Sequence, residues 1–274
     1  MYPDRKTAAR LGQHTLEILE HGAYVAPSGA RVEIARALAS ARERTLSLRF
    51  DAALPPPPEA PSRATRIEVS GETTLEASLR LHREHGEVLA LNFASARHPG
   101  GGFARGARAQ EESLARSSGL FACIDGDPMY AHHETVRDPM YSDWAILSPD
   151  VPVFRDDAGT LLEEPWPCAF LTCAAVNAKV VLERDASRGD EIRERMQRRV
   201  ARVLSIARAF SHRHLVLGAW GCGVFGNEPR VLAELFDEGL RAHAGAFEHV
   251  VFAILDSSPE QRFRGPFEAR FGGH

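Results

Sequence analysis

The stretch EVLALNFASARHPGGGFARGARAQEE, Glu87 to Glu112, decides the fold class. Its first seven residues are a nearly continuous apolar run, the pattern of a short strand covered on both faces. They lead into Gly100, Gly101 and Gly102, and the stretch closes on Gln110, Glu111 and Glu112, where a helix is predicted to start. A strand, a glycine loop and a helix in that order belong to an α/β sheet between helical layers. In such sheets ligands sit in a crevice at the carboxyl ends of the strands.

The same order recurs downstream. HLVLGAW (214–220) reads as a strand and GCGVFGN (221–227) as a Gly-rich turn. A helix over 228–241 follows, with Asn227 as N-cap, Pro229 in its first turn, and Val231, Leu235 and Phe236 inward. TRIEVS (65–70), DWAILS (143–148), PVF (152–154), CAFLTCAAV (168–176) and HVVFAIL (249–255) are further strands. Thr73 and Glu76 form a capping box for a helix with Leu75, Leu79 and His82 on its inner stripe. The clearest helix is 190–210, capped by Asp190, with Ile192, Met196, Val200, Val203, Ala207 and Phe210 at helical spacing. Glu191/Arg195 and Glu194/Arg198 are expected as i,i+4 pairs on its wet face. A last helix is expected over 259–270. Both glycine segments follow strands, so both belong to one edge of the sheet and to a single site.

Ahead of this alternation, residues 4–21 place Ala8, Leu11, Thr15, Ile18 and Leu19 on one helical stripe, and a second helical run covers 31–45. LPPPPEAP (54–61) is an extended or loop segment. It divides an N-terminal helical extension, 1–62, from a main domain, 63–274. The extension holds too few large apolar groups to fold alone and is expected to pack on the main body.

The 274 residues are 44% hydrophobic and 26% charged with a net charge of -4, ordinary for a soluble globular protein. Lys6 and Lys179 are the two lysines, so nearly all positive charge is arginine. A net negative chain argues against a broad nucleic-acid footprint, and an anionic ligand would have to be held by local geometry. No run is apolar enough to span a membrane, and the start MYPDRKTAARL has no apolar signal region. Cys123, Cys168, Cys173 and Cys222 form no CxxC pair and read as reduced thiols of a cytoplasmic protein. Zinc held by cysteine with His98, His132 or His133 is the alternative, but buried small hydrophobes account for Cys168 and Cys173 better. No metal is expected.

The chemistry lies in the two loops. GAWGCGVFGNEP (218–229) can turn its N–H groups inward ahead of a helix N-terminus, a natural seat for a diphosphate, or it can be an ordinary tight turn. It is neither GxxxxGK[ST] nor GxGxxG, which gives no support for a nucleotide hydrolase or a nicotinamide dehydrogenase. In the first loop Asn92 can reach a ribose hydroxyl, the triple glycine permits close backbone approach, and Arg105 and Arg108 face phosphate or solvent. Glu111 and Glu112 suit the dipole of a helix start in any case. As helix neighbours they point roughly 100° apart, so one can accept from ribose hydroxyls while the other serves a glycosidic oxygen as general acid and then base. The residues alone read as a hydrolase or binder of a nucleotide sugar.

GGG, a spacer of seven and QEE resemble the catalytic signature of poly(ADP-ribose) glycohydrolases. LNFASARHPGGGF, GARAQEESLARSSGL and GAWGCGVFGN resemble the bacterial-type branch, from about Thr65 to the C-terminus, and the N-terminal helices look like that branch's extension. The resemblance implies a macrodomain-like three-layer α/β/α sandwich with a mixed central sheet, which binds ADP-ribose across the strand ends. It implies hydrolysis of the ribose–ribose O-glycosidic bond of poly(ADP-ribose), releasing ADP-ribose, with no cofactor and in the setting of ADP-ribosylation reversal after DNA damage. Glu112 would be the catalytic acid/base, Glu111 would hold the ribose hydroxyls at the scissile bond, and Gln110 would fix the loop. Gly100, Gly101 and Gly102 would line the distal ribose and phosphate, and Asn92 matches the strand-end asparagine. Gly221, Gly223, Val224, Gly226 and Asn227 would form the diphosphate loop, with Phe225 on the terminal ribose. Phe267 is a candidate for adenine stacking, although helix core suits it better. The resemblance implies poly(ADP-ribose) or an ADP-ribosylated protein as substrate, and a monomer is expected. The alternatives are a macrodomain that binds ADP-ribose without cleaving it, or one that removes a single ADP-ribose from a modified target.

Overall fold

The computed structural model describes residues 3–58 and 64–272. Glu59 to Pro61 of the proline run, and the domain boundary expected at 62/63, lie outside the described residues. The chain opens with α1 (Arg5–His21), a hairpin of β1 (Ala23–Val25) and β2 (Arg31–Glu33), α2 (Ala35–Glu43) and β3 (Leu46–Leu48). Then come β4 (Arg66–Ser70), α3 (Thr74–His85), β5 (Leu89–Phe93), α4 (Gln110–Ser117), α5 (Leu120–Ile124) and α6 (Pro128–Val136). A long hairpin of β6 (Ala145–Arg155) and β7 (Leu161–Cys173) leads to α7 (Ala178–Arg184), α8 (Gly189–Ala209) and β8 (His214–Leu217). The chain ends with α9 (Pro229–Ala242), β9 (His249–Ala253) and α10 (Gly265–Phe271).

Seven strands form one sheet in the order β3-β6-β7-β5-β8-β9-β4. The run from β7 to β4 is parallel, while β3, β6 and β7 pair antiparallel, so the sheet is mixed as the alternation of elements implies. Period-two alternation then sorts side chains to two faces. Leu89 and Leu91 of β5, with Val250 and Phe252 of β9, meet Met196 and Val200 of α8 and Leu235 of α9. Ala90 and Val251 on the opposite face meet Leu81 of α3, Leu114 of α4 and Ile124 of α5. Three layers result, and β5 lies beside β8, so the loops that follow both strands open on the same edge.

Several expectations shift for local physical reasons. Residues 31–33 are not helical: Gly29, at φ 88°, turns the chain so that Tyr24 pairs with Val32. The strands read at 143–148 and 152–154 are one strand, β6, interrupted by a register shift after Ser148, where Asp150 takes φ 48°. The last helix starts at Gly265 rather than 259, because the Asp256 carboxylate accepts the N–H groups of Ser258, Phe263 and Arg264 and holds them in a loop. Asp190 does not cap α8, which starts at Gly189 without a side-chain cap. Glu191 pairs with Arg188 at 2.7 Å instead of Arg195, and Arg198 leans toward Asp143 instead of Glu194. The capping box of Thr73 and Glu76 is present, but the inner stripe of α3 runs through Leu75, Ser78 and Leu81, with Leu79 and His82 only half-buried. Among the described residues no helix is long and apolar enough to cross a membrane.

The N-terminal elements are built into the body. β3 forms the edge of the main sheet against β6, and Ile18, Tyr24 and Ile34 close a small core on Phe154 of β6. Arg155, 1% exposed, reaches into α1 and donates to the carbonyls of Leu11 and Arg116 and to the Thr15 hydroxyl. Burial, with Arg116 and Arg10 nearby, pulls its pKa down to about 10. The other side of α1 lies against the turn after the triple glycine, where Gln13 donates to the Ala104 carbonyl at 3.0 Å. Gly12 permits that approach, since a Cβ there would stand 2.4 Å from the Phe103 carbonyl oxygen. Alanine normally outranks glycine in a helix by about 1 kcal/mol, but here the clash with backbone wins. Gly12→Ala is expected to lower stability by about 1–3 kcal/mol, read as a drop in the thermal unfolding midpoint. An unchanged or raised midpoint would show that α1 does not brace the loop.

Candidate active site

The site opens where β5, β8 and β9 end. A cavity of about 450 Å³ lies between the two glycine loops, lined by Gln110, Glu111 and Glu112 on one side and by Gly221, Gly223, Val224 and Phe225 on the other. The strand–loop–helix units deliver both sets to one edge, as their order in the chain predicts.

Gln110 fixes the first unit. Its Oε1 accepts from the Phe93 N–H at 2.9 Å, and its Nε2 donates to the Leu91 carbonyl at 2.8 Å and to the Thr74 hydroxyl at 3.2 Å. The start of α4 is thereby tied to the end of β5 and to the start of α3. Glu112 sits in the first turn of α4, 9% exposed, and both its oxygens accept backbone N–H groups, Gly102 at 3.0 Å and Ala109 at 2.9 Å. Glu111, 4% exposed, accepts from the Ser95 N–H at 2.7 Å through Oε2, while its Oε1 has no partner. Burial pushes the Glu111 carboxyl up to about 8, against the Ser95 hydrogen bond and with help from the charge of Glu112.

The triple glycine makes room for these carboxylates. Gly101 takes φ 59°, and a Cβ on it would stand 2.2 Å from Glu112 Oε1 and 3.1 Å from Glu111 Oε2. Gly100, at φ 67°, lies over Phe103 and Ala115. None of the three glycines lines the cavity, and neither does Asn92, which is fully buried and donates to the Thr172 hydroxyl on the neighbouring strand at 3.2 Å. The nearby Asn92 amide also favours the ionised form of Glu111, against the effect of burial. Arg108 lines the cavity; Arg105 is exposed outside it.

In the second loop Asn227 is not the helix cap. Its Nδ2 donates to the carbonyls of Val176 at 2.8 Å and Gly221 at 3.1 Å, which closes the loop from behind, and α9 starts without a side-chain cap. Gly226 packs against Lys179, also behind the cavity. The N–H groups of Gly223, Val224 and Phe225 donate to no protein acceptor among the described residues, and Gly223 is open on its Cβ side. Three successive free N–H groups form a concavity suited to an anion. Phe225 is half-buried, with its ring 6.1 Å from that of Tyr141.

The pattern of residues did not reveal the rest of the wall. Thr73 and Thr74 line the cavity from the start of α3, and Ile254, Leu255 and Phe263 line it from beyond β9. Phe267 is fully buried against Phe252 and cannot stack on a ligand, whereas Phe263, four residues earlier, faces the cavity from the loop that Asp256 holds. The signal for α3 was its capping box at a strand end; nothing in the sequence marks Phe263. The cysteines are unpaired thiols, and none belongs to a cluster able to hold a metal among the described residues.

A family model described as the catalytic domain of microbial-type PARG, poly(ADP-ribose) glycohydrolase, matches residues 12–156. The crystal structure of the poly(ADP-ribose) glycohydrolase of Thermomonospora curvata is 49% identical, covering 97% of this chain and 100% of that one, with a TM-score of 0.92. The same enzyme bound to the inhibitor ADP-HPD gives 48% identity and a TM-score of 0.89, with the same coverage. The Deinococcus radiodurans enzyme in complex with ADP-ribose is 40% identical over 85% of this chain and 96% of that one, with a TM-score of 0.77. No curated protein sequence matches. The chain belongs to the microbial-type poly(ADP-ribose) glycohydrolase family.

Proposed function

We propose that the chain hydrolyses the ribose–ribose O-glycosidic bonds of poly(ADP-ribose), with Glu112 as general acid and base and ADP-ribose as product. The observation that carries this reading is the paired burial of Glu111 and Glu112 on one wall of a cavity whose other wall is a loop of unspent N–H groups. The related enzymes bound to ADP-ribose and to ADP-HPD support the ligand class. The diphosphate rests on Gly223 to Phe225, with Phe225 against the terminal ribose, and Phe263 is the aromatic placed to meet the base. Asn92, Gly100 to Gly102, Gly226 and Asn227 act from behind the wall, by shaping the two loops.

Glu112 donates its proton to the departing ribose oxygen as the glycosidic bond breaks, and an oxocarbenium-like state forms. The resulting carboxylate takes a proton from the attacking water, whose oxygen bonds to the anomeric carbon. The N–H groups of Gly102 and Ala109 fix the carboxylate's direction through both steps. Glu111, kept neutral by burial up to about pH 8, presents its unpartnered Oε1 to the sugar hydroxyls. Residues 1–62 are read as an extension that braces the glycine loop from behind. Action as a monomer is part of the same proposal. A cytoplasmic setting is supported by the free thiols, and a role in ADP-ribosylation reversal after DNA damage is part of the same reading.

Glu112→Gln is expected to lower kcat for release of ADP-ribose from polymer by about 10²–10⁴-fold while ADP-ribose binding by calorimetry stays close to wild type. Wild-type-like release would remove Glu112 from the chemistry, and a wild-type protein that binds ADP-ribose without turnover would make the chain a binding module. Gly101→Ala, which drives a methyl into Glu112, is expected to cost about 10²-fold or more in kcat, measured on the same polymer with the fold checked by circular dichroism.

The raised Glu111 carboxyl also gives the protein a pH signature. Below its usual 4.5 the group is protonated folded or unfolded, and above about 8 it is ionised in both. Between these values only the folded chain holds the proton, so this group's contribution to stability falls as pH rises through the window. Glu111→Gln should remove that slope, and a thermal-unfolding profile from pH 5 to 8 unchanged by the substitution would contradict the assignment.

A further inference from the structure

At the end of the sheet opposite the cavity, the last turn of α3 meets the first residues of β8 and β9. Glu84 and His85 of α3 gather there with His249 of β9, the one set of His, Cys, Asp and Glu side chains among the described residues able to close on an ion. We propose that Glu84, His85 and His249 bind a zinc ion, a site separate from the glycosidase chemistry.

The spacing supports this. His85 Nε2 is 3.5 Å from His249 Nδ1 and 3.6 Å from Glu84 Oε2. Those separations are too wide for good hydrogen bonds. They fit ligands shared by one ion: bonds of about 2.0–2.1 Å in a tetrahedron put ligand atoms roughly 3.4 Å apart. Two imidazoles and one carboxylate leave the fourth position to water, and imidazole donors select zinc over magnesium or calcium.

The surrounding groups also orient the ligands. His249, 2% exposed, is 3.2 Å from Glu68 Oε2 through its Nε2. With that nitrogen donating to the carboxylate, Nδ1 is left bare toward His85, the carboxylate–histidine arrangement that metal ligands use. Arg80 pins Glu68 at 2.8 Å. The His85 ring lies flat on that of His214, with centroids 4.0 Å apart and planes 1° apart, and His214 is anchored by Glu87 at 2.8 Å. The buried His214 has its Nε2 3.8 Å from Glu248 Oε2, so the ring that supports His85 is held between two carboxylates.

The ion would staple the C-terminal end of α3 to the start of β9. The other end of α3 carries Thr73 and Thr74 in the cavity wall, about 18 Å away over twelve residues at 1.5 Å each. The site therefore stands apart from the cavity, with its fourth position open to water.

The test uses the full chain stripped with EDTA and dialysed. Zinc added by calorimetry is expected to bind at one equivalent and to raise the unfolding midpoint, and cobalt is expected to give the visible absorption of a four-coordinate centre. His85→Gln and Glu84→Gln, both at exposed positions, should each weaken binding at least tenfold, and Glu68→Gln by about 10–100-fold. Because His249 is buried, His249→Gln is judged only if its circular dichroism matches wild type. Hydrolysis of polymer by metal-free His85→Gln at the wild-type rate shows that the fold is intact. Absence of zinc and cobalt binding by the wild type would overturn the proposal, and so would binding that keeps its affinity in both His85→Gln and Glu84→Gln.

Discussion

Two adjacent carboxyl groups taken out of water lose their hydration and oppose one another's ionisation, and the architecture around Glu111 and Glu112 is arranged against that penalty. Three backbone N–H groups, from Ser95, Gly102 and Ala109, replace the lost water. They can approach only because the loop turns through positive φ at Gly100 and Gly101 and because Gly101 has no side chain to strike Glu112. The loop in turn is held from behind, by α1 through Gly12 and Gln13 and by Gln110 through the end of β5. Loss of any of these supports would be felt at the carboxylates first.

Sheet topology converts that local arrangement into a cavity. β5 and β8 are far apart in sequence but hydrogen-bonded neighbours, with Leu89 opposite Leu215 and Ala90 opposite Val216. The loops after them must therefore leave the sheet side by side. On its other flank β5 pairs with β7, which sets Asn92 opposite Thr172 and gives the buried amide its partner beneath Glu111. The parallel half of the sheet points its strand ends at the cavity, and the antiparallel half, β3 with β6 and β7, carries the N-terminal elements that brace the glycine turn.

The α/β architecture, both glycine loops and the carboxylate pair were legible because each rests on local chemistry: apolar runs of strand length, glycines at loop positions, acidic residues in a first helical turn. What was missed depended on long-range packing. Residues 161–167 contain Glu163, Glu164, Pro165 and Pro167 and do not look like a strand, yet they complete β7 because β6 supplies an antiparallel partner. On α8 the expected partner of Arg198 gave way to Asp143, which the fold brings in from before β6, while Glu191 took its i–3 neighbour Arg188 instead of Arg195. Phe263 and Phe267 are indistinguishable by periodicity; only the side chain of Asp256, by stopping the helix short, turns one to the cavity and leaves the other in the core.

The two glycine loops look alike in composition but are used in opposite ways, and this resolves the apparent conflict of carboxylates beside a phosphate. In the first loop the N–H of Gly102 serves Glu112, that of Gly101 serves the His98 carbonyl, and the missing Cβ of Gly101 is filled by carboxylate oxygen. These two N–H groups are already spent, and the cation this loop offers the cavity is Arg108. In the second loop Asn227 closes the turn with its amide, Gly223 faces open space, and three consecutive N–H groups remain unspent ahead of α9. The second loop is where backbone donors are free and the helix start adds partial positive charge, which favours an anion there. The proposed pose of a nucleotide sugar, with the diphosphate on Gly223 to Phe225 and the sugar toward Glu111 and Glu112, uses both walls in this way. The separation of charge along such a ligand is thus matched by the separation of free donors from occupied ones across the cavity.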